Sequence, residues 1–246
     1  AAVAAEAGRH LKPVVLELGG SDPFVVWHDV DVAHVAAQAA SARCLNNGQS
    51  CIAAKRFVVH ADVHDAFVEA FVAAMRAKRV GDPRDDATDV GPLVSPAARD
   101  GVRTQLRATL DAGAKLAVGA LPPADDVPWC PPTIVTHVPD GTPLADEECF
   151  APVAAVWKVA TLDAAIARAN ATPYGLGASA WTHDPAVMRA LADGIESGSL
   201  MFNEGVASDP ALPFGGIKRS GHGRELGDAG LRAFANVRTL RGLTAG

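Results

Sequence analysis

One cysteine and one glutamate of this chain lie in surroundings that suit covalent catalysis on a carbonyl carbon. Cys51 follows the small and amide residues NNGQS, and Glu17 follows the apolar run VVL. A thiolate can attack a carbonyl carbon, and a carboxylate can activate the water that releases the acyl group. Alone, Cys51 is more often a buried, inert thiol, and Glu17 is a costly charge that needs a reason. Together they predict a nucleophile and a base.

Two later blocks could serve the same site. The first is EECFAPV, residues 147–153, which contains Glu148 and Phe150 and would otherwise be an acidic turn. The second is LPFGGIKRSGHGRELG, residues 212–227, which would otherwise be a glycine-rich turn before a helix. Gly19 and Gly20 directly follow the glutamate segment, and glycines there let a ligand or another backbone segment approach closely.

In this order and spacing, LELGG (residues 16–20), NNGQSC (46–51) and the two later blocks resemble the aldehyde dehydrogenase superfamily. The resemblance runs over the whole chain. It implies that Cys51 is the nucleophile and Glu17 the general base that deprotonates water. It also implies that Glu148 and Phe150 hold the nicotinamide ribose of NAD or NADP, with Gly19 beside the cofactor. Ala151 stands where the family has glycine.

The same resemblance implies a substrate pocket shaped by Asn203, Ser208 and Phe214. The stretch RCLNNGQSCIAAKRF (residues 43–57), with the later NEG and SDP stretches, is similar to the bacterial succinate-semialdehyde dehydrogenase branch. A dicarboxylic semialdehyde needs a cation for its carboxylate. Arg43, or a residue of the family's N-terminal half, is expected to supply it. NAD and NADP are not distinguished by these residues.

The family resemblance also implies a division of the chain. Residues 1–18 are expected to be the tail of a cofactor-binding domain, 19–220 the catalytic domain, and 221–246 a return to the cofactor domain with an oligomerisation tail. The chain thus resembles the C-terminal, catalytic half of family members. The resemblance implies a homodimer or homotetramer for the full-length form. Two functions stay open: aldehyde oxidation within a longer enzyme, or a catalytic-domain remnant without redox activity. The remnant would at most hydrolyse esters or thioesters, or serve as an interaction partner, and residues 1–246 alone are expected to bind the dinucleotide poorly.

Composition narrows the class of protein. The 246 residues carry a net charge of −6 and are 49% hydrophobic, as expected of a globular protein with a sizeable core. No run of lysine and arginine suggests nucleic acid as a partner, and no apolar run is long enough for a membrane span. The four cysteines lack metal-ligand spacing, so no metal site is predicted. Without a signal-peptide pattern at its start, the chain is expected to be cytoplasmic.

Apolar strand-like segments alternate with amphipathic helical segments along the chain. Strands are predicted at residues 14–18, 23–27, 56–60, 115–118, 153–159, 178–182 and 200–203. Helices are predicted over 31–44, from 62 onward, over 95–113, 161–171 and 185–192. This alternation is typical of an α/β fold with a largely parallel sheet covered on both faces. The resemblance specifies the parallel-sheet catalytic domain of the aldehyde dehydrogenase fold, with only remnants of the cofactor-binding domain.

Overall fold

The computed structural model describes residues 1–124 and 126–242. The strands are β1 Leu16–Glu17, β2 Pro23–Val26, β3 Arg56–His60, β4 Lys115–Val118, β5 Thr133–Thr136, β6 Val153–Val159, β7 Tyr174–Gly175, β8 Gly177–Trp181, β9 Ser199–Phe202, β10 Ile217–Lys218 and β11 Gly221–His222. The helices are α1 Ala2–Arg9, α2 Val32–Cys44, α3 Ala61–Arg76, α4 Pro96–Asp111, α5 Pro143–Asp146, α6 Leu162–Asn170, α7 Pro185–Gly194 and α8 Gly227–Arg232. Among these described helices, none is both long and apolar enough to cross a membrane.

Seven strands form the main sheet in the order β4-β5-β6-β3-β2-β8-β9. Every neighbouring pair is parallel except β4 and β5. Two small antiparallel ribbons lie outside this sheet, β1 with β11 and β7 with β10. The predicted α/β fold with a mostly parallel sheet is therefore confirmed.

The central strands are buried on both faces, as parallel strands usually are. Phe24, Val26 and Phe57 pack with apolar residues of α2 and α3 on one face. Val25 and Val58 pack with residues of α6 and α7 on the other. Successive residues of a strand point to opposite faces, so one short apolar run supplies both halves of the core.

Three of the predicted helices begin at residues whose side chains cap them. Asp31, Ser95 and Thr161 each accept a hydrogen bond from a backbone N–H of the first turn. Helix α3 instead begins after His60, whose imidazole accepts the Asp62 N–H.

Two sequence predictions about strands fail. Residues 14–18 do not form a buried strand, because only Leu16 and Glu17 pair, half-buried, with β11 outside the main sheet. An apolar run alone cannot distinguish a central strand from a ribbon. Strand β5 was not predicted, since it is short and follows two prolines that usually indicate a loop.

Three of the predicted functional segments lie at the same end of the sheet, where its parallel strands begin. Residues 17–20 lead into β2, residues 45–55 into β3, and residues 147–152 into β6. Because β6, β3 and β2 are adjacent and parallel, their amino ends lie side by side. The domain division stays a prediction, and residues 243–246 of its last segment lie outside the described residues.

Candidate active site

The loop that carries Cys51 is fixed by its own amide side chains. Asn46, Asn47 and Gly48 all have left-handed φ values, of 50°, 60° and 73°. The Asn47 Oδ1 atom accepts the Gly91 N–H at 2.8 Å, and the Gln49 Oε1 atom accepts the Val94 N–H at 2.9 Å. Asparagine and glycine tolerate this backbone region better than other residues. The NNGQ residues therefore shape the loop and anchor it to the segment before α4.

Gly48 packs directly against the segment that carries Glu148 and Phe150. A Cβ atom at Gly48 would lie 2.3 Å from the Ala151 carbonyl carbon. Arg43 reinforces this contact, since its Nη2 donates to the Gly48 carbonyl at 2.8 Å and its Nη1 to the Val153 carbonyl at 3.3 Å. The Arg43 side chain is fully buried and lines no described cavity. The expectation that Arg43 binds a substrate carboxylate is therefore wrong, because its guanidinium serves the backbone.

Lys55 lies at the centre of the nucleophile loop. Its Nζ donates to the carbonyls of Ser50, Cys51 and Ala53 at 3.1, 3.0 and 2.9 Å. It also lies 3.7 Å from the Glu148 Oε1 atom, although only 3% of its side chain is exposed. The turn after Cys51 is thus wrapped around a single ammonium group.

The structure brings Gly19, Glu148, Phe150 and Cys51 together. The Gly20 N–H donates to Glu148 Oε1 at 2.9 Å, and a Cβ at Gly19 would lie 2.5 Å from Glu148 Oε2. A Cβ at Gly20 would lie 2.8 Å from the Cys51 carbonyl oxygen. The Phe150 ring centroid is 5.8 Å from the Lys55 ammonium nitrogen. The two glycines permit these close approaches.

Glu17 has an environment that suits a proton acceptor. Its two carboxylate oxygens are enclosed and accept no hydrogen bond of good geometry from the described residues, although the nearby Gly216 N–H lowers the Glu17 pKa. A Cβ at Gly215 would lie 2.8 Å from Glu17 Oε1, so the glycine-rich segment forms the wall beside the carboxylate. Burial and then repulsion from Glu225 raise the Glu17 pKa, while Arg224 opposes them. A carboxyl group with a raised pKa is better matched to general base catalysis near neutral pH.

The surroundings of Cys51 do not simply ionise it. Burial raises the pKa of the thiol, and the negative charge of Asp22 adds to this rise. The Lys55 ammonium and the N–H groups of Ile52 and Cys51 lower it. Burial outweighs these groups, so the net effect of the described residues is a raised thiol pKa. Lys55 is the side chain that most favours ionisation.

A cavity of about 470 Å³ opens between α2 and the segment after β9. Its lining residues are Asp22, Pro23, Phe24, Gln38, Ser41, Ala42, Leu45, Ile52, Ala54, Ser179, Gly205, Val206, Ala207 and Ser208. Ile52 adjoins the nucleophile, so this cavity is the candidate substrate pocket. Among the described lining residues there is no lysine or arginine, and Ser208 contributes a hydroxyl.

The other two predicted pocket residues lie outside this lining. Asn203 follows β9 at the carboxyl end of the parallel strands, whereas Cys51 precedes β3 at their amino end. Its amide accepts the Thr182 N–H at 3.0 Å and donates to the Thr182 carbonyl at 2.9 Å. Phe214 is buried and its backbone pairs with Glu225. That they shape the pocket stays a prediction. They would do so indirectly, by fixing the backbone of the segments that contain them.

A second cavity of about 480 Å³ lies beside Phe150 and α4. Glu147, Glu148 and Gln49 border it, and 41% of the Phe150 surface is exposed. An accessible aromatic ring beside a fixed carboxylate fits the ribose end of a nicotinamide nucleotide, because the carboxylate can accept hydrogen bonds from hydroxyl groups.

Two residues of the site were missed by the sequence reasoning. Lys55 was not singled out, and neither was Asp22, which is fully buried. The Asp22 Oδ1 atom accepts the Gly177 N–H at 3.0 Å, and burial raises its pKa to about 7. One sequence signal could have found them: each charged residue directly precedes an apolar strand. A charge in that position is rarely buried unless it is paired, so a buried pair could have been predicted there.

Comparison with known proteins places these observations. The profile of the aldehyde dehydrogenase family matches residues 1–240. A protein of Mycolicibacterium paratuberculosis named succinate-semialdehyde dehydrogenase (NADP+) is 51% identical over 239 residues, which are 97% of this chain and 50% of that protein. The chain spans about half the length of the curated relatives it matches.

Solved structures agree. The structure of Gox0499 matches with a TM-score of 0.93 and 42% identity, covering 98% of this chain and 53% of that one. Succinic semialdehyde dehydrogenase from Streptococcus pyogenes, solved in complex with NADP+, matches with a TM-score of 0.89 and 38% identity, covering 95% of this chain and 51% of that one.

Proposed function

The chain belongs to the aldehyde dehydrogenase family, and from this premise we propose that it carries the catalytic residues of an NADP- or NAD-dependent enzyme that oxidises a small aldehyde to its carboxylic acid. Succinate semialdehyde is the proposed substrate, because the curated relatives at 48–51% identity are named for it. Those relatives and the Streptococcus pyogenes structure also make NADP the first cofactor to test.

The observation that carries the proposal is the convergence of three loops on Cys51. The Gly19-Gly20 turn donates to Glu148 Oε1 at 2.9 Å, and Lys55 of the nucleophile loop lies 3.7 Å from the same oxygen while it donates to the Cys51 carbonyl. Such an arrangement holds a nucleophile beside a carboxylate and an exposed aromatic ring. A site that is preorganised in this way supplies orientation before the substrate arrives.

The proposed chemistry begins at the Cys51 sulfur. The thiolate attacks the aldehyde carbon, and the oxyanion that forms lies within reach of the Cys51 backbone N–H. Glu148 and Phe150 would hold the nicotinamide nucleotide, which would supply the hydride acceptor that lets the Cys51 adduct become a thioester. Glu17 then takes a proton from water, and the hydroxide releases the acid. Its enclosed oxygens and raised pKa favour this role.

We assign the nicotinamide ribose to Glu148 and Phe150. The Glu148 Oε1 atom is held by the Gly20 N–H, which leaves Oε2 to accept from a ribose hydroxyl. Phe150 borders the same cavity with an exposed ring face. Gly19 is kept small by Glu148 itself, since a side chain there would displace the carboxylate.

Replacement of the nucleophile tests the function. In the protein extended to the full length of its relatives, Cys51→Ser should abolish formation of reduced nicotinamide from succinate semialdehyde, because a hydroxyl ionises far less than a thiol. Cys130→Ser is the matched control: Cys130 is buried, and a serine hydroxyl there could donate to the same Pro131 carbonyl. If the Cys51 variant keeps more than about a tenth of wild-type turnover, the nucleophile assignment is wrong.

A further inference from the structure

We propose that Lys55 is a positioning residue for Cys51, one that holds the nucleophile loop and the Glu148 side chain in a single arrangement and keeps a positive charge beside the thiol. This inference rests on the proposed function of Cys51. We assign Lys55 no step of the reaction itself. It acts through the backbone that carries the nucleophile.

The hydrogen bonds of Lys55 are saturated by one turn of chain. An ammonium group has three donors, and three carbonyls of residues 50–53 accept them within 3.1 Å. Three carbonyl oxygens that converge on one point repel each other unless a cation lies between them. The conformation that presents Cys51 therefore depends on this ammonium.

The same ammonium connects the nucleophile loop to the cofactor-side loop. Its nitrogen is 3.7 Å from Glu148 Oε1, the atom that also accepts the Gly20 N–H. One cation thus contacts the loop before β3 and the carboxylate before β6. Loss of the cation should loosen both loops together.

The charges around Lys55 explain how a buried ammonium is retained. Burial and the nearby Arg43 lower its pKa to about 8, whereas Asp22, Glu148 and Cys51 raise it. Asp22 is linked to the same segment, because its carbonyl oxygen accepts the Lys55 and Arg56 N–H groups at 3.1 and 3.3 Å. Its Oδ2 atom has no hydrogen-bond partner among the described residues. Once Asp22 loses its proton, at a pKa of about 7, it supplies buried negative charge that helps Lys55 stay protonated.

Asp22 and Lys55 have opposite effects on the thiol. The Lys55 charge lowers the pKa of Cys51 and the Asp22 charge raises it. Removing either charge should therefore shift Cys51 reactivity in opposite directions. A loss of stability alone would change the alkylation rate of Cys51 in the same direction in both variants. Opposite changes in that rate therefore distinguish a positioning role from a merely structural one.

The test compares Lys55→Met, Asp22→Asn and the double variant, with Lys115→Met as the control. Lys115 is exposed on the edge strand β4, so its replacement changes the net charge equally without touching the loop. The rate of Cys51 alkylation by iodoacetamide is measured against pH. Mass spectrometry identifies the modified thiol, and the other three cysteines are buried. Urea unfolding gives the midpoint of each variant.

We expect Lys55→Met to raise the apparent pKa of Cys51 and to slow alkylation near neutral pH about tenfold. Asp22→Asn should raise the rate, because the Asp22 charge raises the pKa of the thiol. The double variant should regain the urea midpoint lost in Lys55→Met, because no buried charge is left unpaired, yet alkylate as slowly as Lys55→Met. If Lys55→Met does not fold, the double variant alone makes the comparison.

Wild-type alkylation in the double variant, or equal loss of rate in Asp22→Asn and Lys55→Met, would overturn the proposal. The measurement needs neither cofactor nor aldehyde. If Cys51→Ser kept its turnover while Lys55→Met slowed alkylation of Cys51, the proposed function would fail and the positioning of the thiol would stand.

Discussion

Alanine at Gly48 should disrupt the contact that joins the two loops. A Cβ there would lie 2.3 Å from the Ala151 carbonyl carbon, 2.4 Å from its oxygen and 2.5 Å from the Pro152 nitrogen. All three atoms belong to backbone, so no side chain can rotate away. The φ of Gly48 is also left-handed, at 73°. The substitution therefore carries two separate costs.

The two costs can be estimated independently. A non-glycine residue in the left-handed region costs roughly 1–2 kcal/mol. Forcing an extra carbon into packed backbone typically costs about 1–3 kcal/mol more. We expect Gly48→Ala to lower the free energy of unfolding by about 2–5 kcal/mol and to slow alkylation of Cys51, because the loop must move and the Arg43 bond to the Gly48 carbonyl must lengthen.

Gly141 offers a control with the same backbone angle and no collision. Its φ is 74°, and, outside Gly141 and its chain neighbours, no atom of residues 1–124 or 126–242 lies within 4 Å of an added Cβ. Gly141→Ala should therefore show only the conformational cost and unchanged Cys51 reactivity. Urea unfolding of both variants isolates the collision as their difference. If the two variants lost stability within about 0.5 kcal/mol of each other, the close packing of Gly48 on Ala151 would be refuted.

Four substitutions test other parts of the site. Glu17→Gln should keep the burst of reduced cofactor in stopped flow but slow steady-state turnover about 10²–10⁴-fold. A lost burst with normal deacylation would contradict the base role. Glu225→Gln should move the acid limb of the deacylation pH profile to lower pH, because it removes a charge that raises the Glu17 pKa. Ser208→Ala should raise KM for succinate semialdehyde about tenfold and leave propanal unaffected, since only the dicarboxylic substrate has a carboxylate for the hydroxyl to bind; equal changes for both aldehydes would argue against this contact. Asp22→Asn should remove a fall in the free energy of unfolding between about pH 4 and pH 7. Folded Asp22 keeps its proton up to a pKa of about 7 instead of 3.8, so the unfolded state binds fewer protons across that window and wild-type stability falls as pH rises. Urea midpoints that change equally with pH in both proteins would contradict it.

Much of the fold follows from local patterns. The helices over 32–44 and 96–111 begin after cap residues that are legible in the sequence. Strand–helix alternation then predicts parallel strands, and the structure confirms it. What the alternation leaves open is the strand order. Only the order β6-β3-β2 explains why the segments around Glu17, Cys51 and Glu148 meet, since each precedes one of these strands.

The contact partners of the charged residues inside the site could not be predicted from the sequence, for a physical reason. A lysine or arginine at a strand start is normally exposed, and nothing local says which carbonyls will converge on it. Lys55 binds carbonyls close in sequence, but Arg43 reaches Val153, more than a hundred residues away. The assignment of Arg43 to the substrate failed because its partners are set by the tertiary fold.

Environment, more than residue type, separates the carboxylates of this site into different roles. Glu148 is held by the Gly20 N–H and faces the Lys55 ammonium, which fix the position of its side chain. Glu17 accepts no hydrogen bond of good geometry from a described residue, although the nearby Gly216 N–H lowers its pKa. The cation that also lowers it, Arg224, donates to the Gly216 and Gly223 carbonyls. Burial outweighs these groups and raises the Glu17 pKa, because protonation removes the charge that burial penalises. The environment of Glu17 therefore suits a base, and the fixed side chain of Glu148 suits an anchor for a ligand.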